Sequence, residues 1–352
     1  MQINGKIINN NNPTYFIADI AANHDGDLGR AIDLIYKAAE AGADAAKFQH
    51  FSANTIVSDR GFKKLGTQKS HQSTWNKSVF EVYDEASINL EWTEILKKTC
   101  DDANIAFFTS PYSKELVDHV DPYVPAYKIG SGDITWIEIL DYISRKNKPV
   151  ILATGASNLN EVKKAVETVL TNNNDFALMQ CNTNYTGDKD NFNYININVI
   201  NQFKELYPDI IIGLSDHTPH HSTVLGAIAL GARIIEKHFT DDNEREGPDH
   251  KFSMNPNTWK AMIERSRELE IALGDGNKKI EKNELETSVI QRRGIYLKND
   301  IGKEEIINRD DIIPLRPALK GFISVDRINE IVGKKSTKNL IKDEPLSWND
   351  IS

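Results

Sequence analysis

The sequence predicts an α/β chain, a (β/α)₈ TIM barrel followed by a small C-terminal domain. Three observations predict it: eight short apolar runs without polar alternation, amphipathic segments between them, and a break in this pattern near Gly274-Asp275-Gly276. Strands buried on both faces read as continuous apolar runs. A strand–helix–strand order implies parallel connections, and eight such units suit a closed barrel better than a doubly wound sheet, which uses fewer strands.

Asn4-Gly5, flanked by Gln2-Ile3 and Lys6-Ile7, reads as a small hairpin. The candidate strands follow as Tyr15–Ile20, Ala45–Gln49, Ile105–Ser110, Ala126–Ser131, Val150–Thr154, Phe176–Cys181, Ile210–Ser215 and Arg233–His238. Helical periods lie between them, among them Leu28–Ala41, Trp92–Ala103, Leu159–Leu170, Val224–Leu230 and Trp259–Leu273. Phe51–Asn89, with TQKSHQSTWNKS at its centre, is a polar loop too long for an ordinary connection and reads as a lid or an interface. The barrel takes residues 1–276, a charged linker 277–291, and a turn-rich module 292–352. A module of about 60 residues is marginal alone, so it is expected to lean on another surface.

Lys+Arg number 42 against 51 Asp+Glu, a net charge of −9, and no basic cluster suited to nucleic acid is present. Pocket lysines still bind small anions, since the local field decides. No apolar stretch approaches the roughly 18–20 residues of a membrane span, and MQINGKIINN lacks the order of a signal peptide. The expectation is a cytoplasmic protein. Cys100 and Cys181 are too few for a disulfide scaffold, and their apolar surroundings suit reduced core thiols.

In such a barrel the active site lies at the carboxyl ends of the strands. Polar residues there are Asp19, Asn23 and His24; Lys47 and Gln49; Ser110; Lys128 and Ser131; Ser215, Asp216 and His217; Glu236, Lys237 and His238. An unpaired buried ammonium is costly. Lys47 and Lys128 therefore read either as ion pairs with Asp19 or Glu236, or as a grip on phosphate and carboxylate helped by Ser110 and Ser131. Lys237 is out of phase with Glu236 and His238 and is expected to face the helical layer. His217 and His238 end neighbouring strands about 5 Å apart, within reach of one divalent Mn-, Co- or Zn-class ion with open positions, and Asp216 is a candidate supporting residue behind them. In the charged loop Asp241–Phe252, Asp241, Asp242 and Glu244 read as solvated, whereas Asp249 can reach the mouth. His220 and His221 read as solvated or capping residues. No nucleotide-binding loop or nucleophile elbow is present.

At these residues the chain resembles the sialic acid synthase family, phosphoenolpyruvate-dependent synthases of nine-carbon 2-keto-3-deoxy acids. IADIAANHDGDLGRA, AGADAAKFQ, TSP, YKIGSGD, GLSDHT, GARIIEKHF, GPDHKFSM and ALGDG carry the resemblance through the barrel, and RRGIYLKNDIGKEEII and LRP carry it into an antifreeze-like (SAF, β-clip) domain. It implies a domain-swapped homodimer and a divalent metal, manganese first, with magnesium or cobalt as alternatives. By resemblance His217 and His238 are metal ligands. Lys47, Gln49, Ser110, Lys128, Ser131, Thr183 and Ser215 match phosphoenolpyruvate positions. Asp19, Tyr185, Asp249 and Arg316 match sugar contacts, Arg316 reaching the partner's site, and Glu236 is the candidate acid/base.

The implied reaction joins phosphoenolpyruvate to an open-chain N-acylated hexosamine. Three departures bear on the sugar: Asp19 stands where a glutamate is usual, Ala153 where a serine is common, and NTNYTGDKDNF replaces a Tyr-Pro-Thr-Pro-like segment. They point to a modified sugar rather than N-acetylmannosamine. The competing readings are a Schiff-base aldolase using Lys47 or Lys128, and a non-catalytic glycan-binding relative. A synthase acting on a phosphorylated sugar would need a further basic cluster, which the sequence lacks.

Overall fold

Asn4 and Gly5 both take positive φ, 46° and 79°, so Gln2–Ile3 (β1) and Lys6–Ile7 (β2) close as the hairpin that an Asn-Gly pair favours. The computed structural model describes residues 1–65 and 77–352 and divides into two units, Met1–Gly274 and Asp275–Ser352. The first holds eight parallel strands: β3 (Tyr15–Asp19), β4 (Ala45–His50), β5 (Ala106–Pro111), β6 (Tyr127–Ile129), β7 (Val150–Ala153), β8 (Phe176–Cys181), β9 (Ile211–Asp216) and β10 (Ile234–His238). Their order, β5-β4-β3-β10-β9-β8-β7-β6, pairs the first barrel strand with the last. β5 and β6, the ends of that order, lie side by side and nearly close the ring.

Alternation along each strand makes two cores. Phe16, Ala18, Ala46, Phe48 and Leu152 point outward into the layer packed under the helices. Ile17, Ala45, Phe108, Ile151, Met179 and Ile234 point inward, and Ile3 and Ile8 of the amino-terminal segment pack with them. The helix Leu28–Glu40 shows how the outer layer is held. Its N-cap Asp27 accepts from the Arg30 amide, and Ala31, Leu34, Ile35 and Ala38 form its buried stripe.

The long segment after β4 departs from a plain polar loop. It carries the short helices Ala53–Ile56, Asp59–Lys64 and Val79–Ala86. Residues 66–76, which hold most of the TQKSHQSTWNKS stretch, lie outside the described residues. The second unit pairs Gly294–Leu297 (β11) with Ile312–Leu315 (β12) over a small core that includes Ile295, Leu297, Ile307, Ile312, Ile331 and Leu346. No helix among the described residues is long and apolar enough to cross a membrane.

A buried polar chain runs behind β4. His50 Nδ1 bonds Thr109 Oγ1 at 2.7 Å, His50 Nε2 bonds Thr93 Oγ1 at 2.9 Å, and Thr93 Oγ1 meets His119 Nε2 at 3.0 Å. Burial pushes His50 down to about 3, and burial pushes His24 down to about 4. Both rings are neutral in the fold, whereas in the unfolded chain they take up protons near pH 6.5. The unfolded state then binds more protons, so this contribution is complete above about pH 6.5 and is lost as pH falls toward the folded values. The urea midpoint should be lower near pH 4.5 than near pH 7.5, and His50→Gln should flatten that dependence; an unchanged midpoint in the wild type would contradict it.

Candidate active site

Two residues beyond the apolar inward layer, each strand turns polar or small. Ile17 is followed by Asp19, Ala45 by Lys47, Phe108 by Ser110, Ala126 by Lys128, Met179 by Cys181, and Ile234 by Glu236. β7 and β9 add Ala153 and Ser215 to this ring. The pleat thus assembles a polar layer on an apolar floor, with charged residues from four separate strands, Asp19, Lys47, Lys128 and Glu236.

Lys47 Nζ donates to Asp19 Oδ2 at 2.6 Å and lies 3.7 Å from Glu236 Oε1. Lys128 Nζ donates to the same Glu236 oxygen at 3.1 Å. Both lysines and both carboxylates are buried. The ion-pair reading of these lysines therefore holds, and holds at the barrel mouth, where an incoming anion can compete for the ammonium groups. Burial opposes a charge on Lys47, but Asp19 and Glu236 outweigh it and keep its pKa above the ordinary lysine value. Glu236 Oε2, Ser110 Oγ and His238 Nδ1 are buried, and among the described residues none of the three has a hydrogen-bond partner. Buried polar atoms are rarely left unpaired, and three around one mouth mark a place for a ligand.

One level higher stand the histidines. Their ring centroids are 5.3 Å apart, with Tyr185 4.4 Å from His217 and Phe252 4.8 Å from His238. His217 Nδ1–H donates to the Asn182 carbonyl at 2.8 Å, which turns Nε2 away from that bond. Burial, with His217 and Lys47 nearby, holds His238 well below the usual histidine range, so its ring is neutral. His238 Nε2 lies 3.5 Å from Asp19 Oδ2 and its Nδ1 lies 3.8 Å from Asp249 Oδ2. Among the described residues no cluster of three or more potential protein ligands forms. A cation here would take two imidazoles and complete its sphere from water and substrate.

Asp19 is bound up more tightly than a free sugar contact. Besides Lys47 it accepts from Gln49 Nε2 at 3.4 Å and from the Ala21 amide at 3.1 Å. Ser131 Oγ accepts from the Gly155 amide at 2.9 Å, and a Cβ on Gly155 would come within 2.4 Å of the Thr183 methyl. Ser131, Gly155 and Thr183 thus form one close-packed rim. Arg316 is exposed directly after β12 in the second unit.

Three expectations need correction. Asp216 does not stand behind the histidines: it points outward, where Lys237 binds it together with the Thr218 and Thr223 hydroxyls, as the phase of Lys237 predicts. Asp241 is not a solvated turn residue, because Arg30 holds both its oxygens, at 2.8 and 2.5 Å. Cys181 faces the barrel interior beside Ser131 and His217 rather than apolar surroundings. His220 is exposed, and His221 precedes its helix without a side-chain cap bond.

The structure adds residues that the sequence reading passed over. Asp133 and Tyr112 line the mouth with Tyr185, Asp249 and Gln49, and burial pushes Asp133 up to about 6. Asp133 sits in the YKIGSGD segment just past β6, a placement that its strand-end position signals. Burial likewise raises Asp249 to about 6, and the Ala22 amide, donating at 3.3 Å, holds it in the mouth. Next to it His250 is fully buried, its Nε2–H donating to Asp25 Oδ1 at 2.8 Å. That bond ties the loop after β10 to the loop after β3.

Fold and site define an enzyme that works at the carboxyl ends of a (β/α)₈ barrel. The chain belongs to the NeuB family, which it matches over residues 34–278, and residues 292–352 match the SAF domain. It is 36% identical over 335 residues to an N,N'-diacetyllegionaminic acid synthase of Campylobacter jejuni, covering 94% of this chain and 98% of the relative. A pseudaminic acid synthase of the same species is 31% identical, with 97% and 98% covered. A crystal structure of an N-acetylneuraminic acid synthetase of Leptospira borgpetersenii, in complex with citrate, superposes with a TM-score of 0.71 at 28% identity, covering 82% of this chain and 94% of that one.

Proposed function

We propose that the chain condenses phosphoenolpyruvate with an open-chain N-acylated hexosamine, releasing phosphate and a nonulosonic acid. The observation that carries this reading is the buried layer of Lys47, Lys128, Asp19 and Glu236 beneath His217 and His238, with unpaired polar atoms on Glu236, Ser110 and His238. Lys47 and Lys128 are the groups for the phosphate and carboxylate of phosphoenolpyruvate, with Gln49, Ser110, Ser131, Thr183 and Ser215 as neutral donors. Asp19, Tyr185 and Asp249 face the sugar.

In the reaction C3 of phosphoenolpyruvate forms a bond to the aldehyde carbon, whose oxygen takes a proton. Water adds at C2, and the C2–O bond then breaks so that phosphate leaves with the electron pair. Glu236 orients that water and carries its proton, a role supported by its having one oxygen on the lysines and the other unpaired among the described residues. Lys47 and Lys128 stay against the leaving group. The two imidazoles at the mouth suit a divalent ion of the manganese class, which when bound would supply Lewis acidity at the aldehyde oxygen. A Schiff-base route fits less well, because a nucleophilic lysine needs a lowered pKa and Lys47 is held above its ordinary value.

The second unit exposes Leu285, Ile290, Ile306 and Ile341, apolar side chains that another surface would cover. This supports a domain-swapped homodimer in which Arg316 serves the partner's barrel. The test is phosphate release from phosphoenolpyruvate with manganese and N-acylated hexosamines. Release should require both sugar and metal, and borohydride with pyruvate should trap no adduct. Sugar-independent release or a trapped lysine adduct removes the proposal.

A further inference from the structure

The segment between β10 and the helix Pro256–Leu273 carries Asp249 into the mouth and contains no helix or strand of its own. No backbone ladder fixes its course, so side-chain bonds must do so. The Ala22 amide reaches Asp249 Oδ2 at 3.3 Å, beyond the usual range for such a bond. That is a loose hold for a carboxylate that has to meet a substrate.

The tighter holds converge on the next residue. His250 Nε2–H donates to Asp25 Oδ1 at 2.8 Å, and Nδ1 meets the Thr240 hydroxyl at 2.8 Å. Asp25 belongs to the loop after β3, and its other oxygen accepts from Arg245 Nε at 2.9 Å with Arg30 Nε 3.1 Å away. Asn243 Nδ2 donates to the His250 carbonyl at 2.9 Å. Gly247 closes over the ring, since a Cβ there would come within 2.6 Å of His250 Cδ2. Filling space does not require this arrangement: an apolar side chain would do so without desolvating an imidazole. His250 does not line the mouth cavity, whereas its neighbours Pro248 and Asp249 do.

We infer that His250 and Asp25 are positioning residues, whose bond across the two loops sets where the Asp249 carboxylate stands in the mouth. The inference rests on the condensation proposed above, in which Asp249 meets the sugar, and adds the residues that act through it. Displacing such a group by about 1 Å costs on the order of 10²-fold in rate. Phosphoenolpyruvate is read by Lys47 and Lys128 on β4 and β6, which this bond does not hold. The effect of breaking it therefore falls on the sugar.

The experiment measures kcat and both KM values for phosphate release by the full chain with manganese and phosphoenolpyruvate. The sugar is whichever of N-acetylmannosamine and a 2,4-diacetamido-2,4,6-trideoxyhexose the wild-type protein uses better. His250→Asn places an amide near Nδ1 and loses Asp25, whereas His250→Gln reaches the position of Nε2 and keeps it. His250→Asn should raise KM for the sugar by about tenfold or more, leave KM for phosphoenolpyruvate within about twofold, and be largely rescued in His250→Gln. In an Asp249→Ala background the same change should add less than about twofold, because a residue that acts through Asp249 then has nothing to position. Asp25→Gly deletes the acceptor from the other loop, suits the φ of 51° at that position, and should repeat the loss even where His250→Asn does not fold. Equal sugar KM in the Asn and Gln variants, an equal rise in KM for phosphoenolpyruvate, or full additivity with Asp249→Ala overturns the inference and leaves the condensation standing. No release by the wild-type protein with either sugar removes the condensation, and the inference with it.

Discussion

Glu236→Gln lowers kcat for phosphate release by about 10²- to 10⁴-fold, the range that a positioned acid/base group supplies. The substitution preserves size and hydrogen bonding but removes the charge shared by Lys128 at 3.1 Å and Lys47 at 3.7 Å. Two results then separate a chemical role from a structural one. Removing a competitor for the ammonium groups should leave KM for phosphoenolpyruvate unchanged or lower. Breaking a buried pair costs about 3–5 kcal/mol, so the free protein should melt earlier, and saturating phosphoenolpyruvate should recover part of that loss because a ligand that binds only the native state stabilises it. A kcat within tenfold of wild type in a folded variant would falsify the role given to Glu236.

Metal removal has an effect of similar size. A chelator should reduce phosphate release by a factor on the order of 10³ or more, since a Lewis acid at the aldehyde oxygen supplies several kcal/mol, and added manganese should restore it. His217→Gln and His238→Gln should each abolish binding of manganese followed directly by electron paramagnetic resonance, without needing turnover. His217 is the more informative of the two: its Nδ1 bond to the Asn182 carbonyl orients the ring, so Asn182, which contributes only backbone, holds the ligand whatever its own side chain. Activity indifferent to chelation, or manganese bound equally by both variants, contradicts the assignment.

Much of this was legible in the chain. The barrel strands are continuous apolar runs because both faces of a parallel sheet are covered, and a lysine inside such a run stands out against its neighbours. Phase along the strand was legible too. Lys237 lies between Glu236 and His238 and therefore points the other way, into the helical layer. What the chain hid was partnership. Asp216 lies between Ser215 and His217, and the alternation that turns Lys237 outward turns it outward too, but nothing local names Lys237 as its partner. The apolar lining that the segment after β4 gives the mouth was hidden as well, since its helices are short and their apolar residues acquire meaning only when they converge on one cavity.

The order of elements, their types and the positions carrying charge were determined by the sequence itself, because periodicities of two and 3.6 are written in residues a few places apart. The tertiary structure alone decided that Lys128 meets Glu236 across 108 residues, that Asp19 holds Lys47, and that the two histidines share one mouth. Those contacts depend on the register of parallel strands around a nearly closed ring. A shift of one residue in any strand would turn its polar side chain from the barrel to the helices.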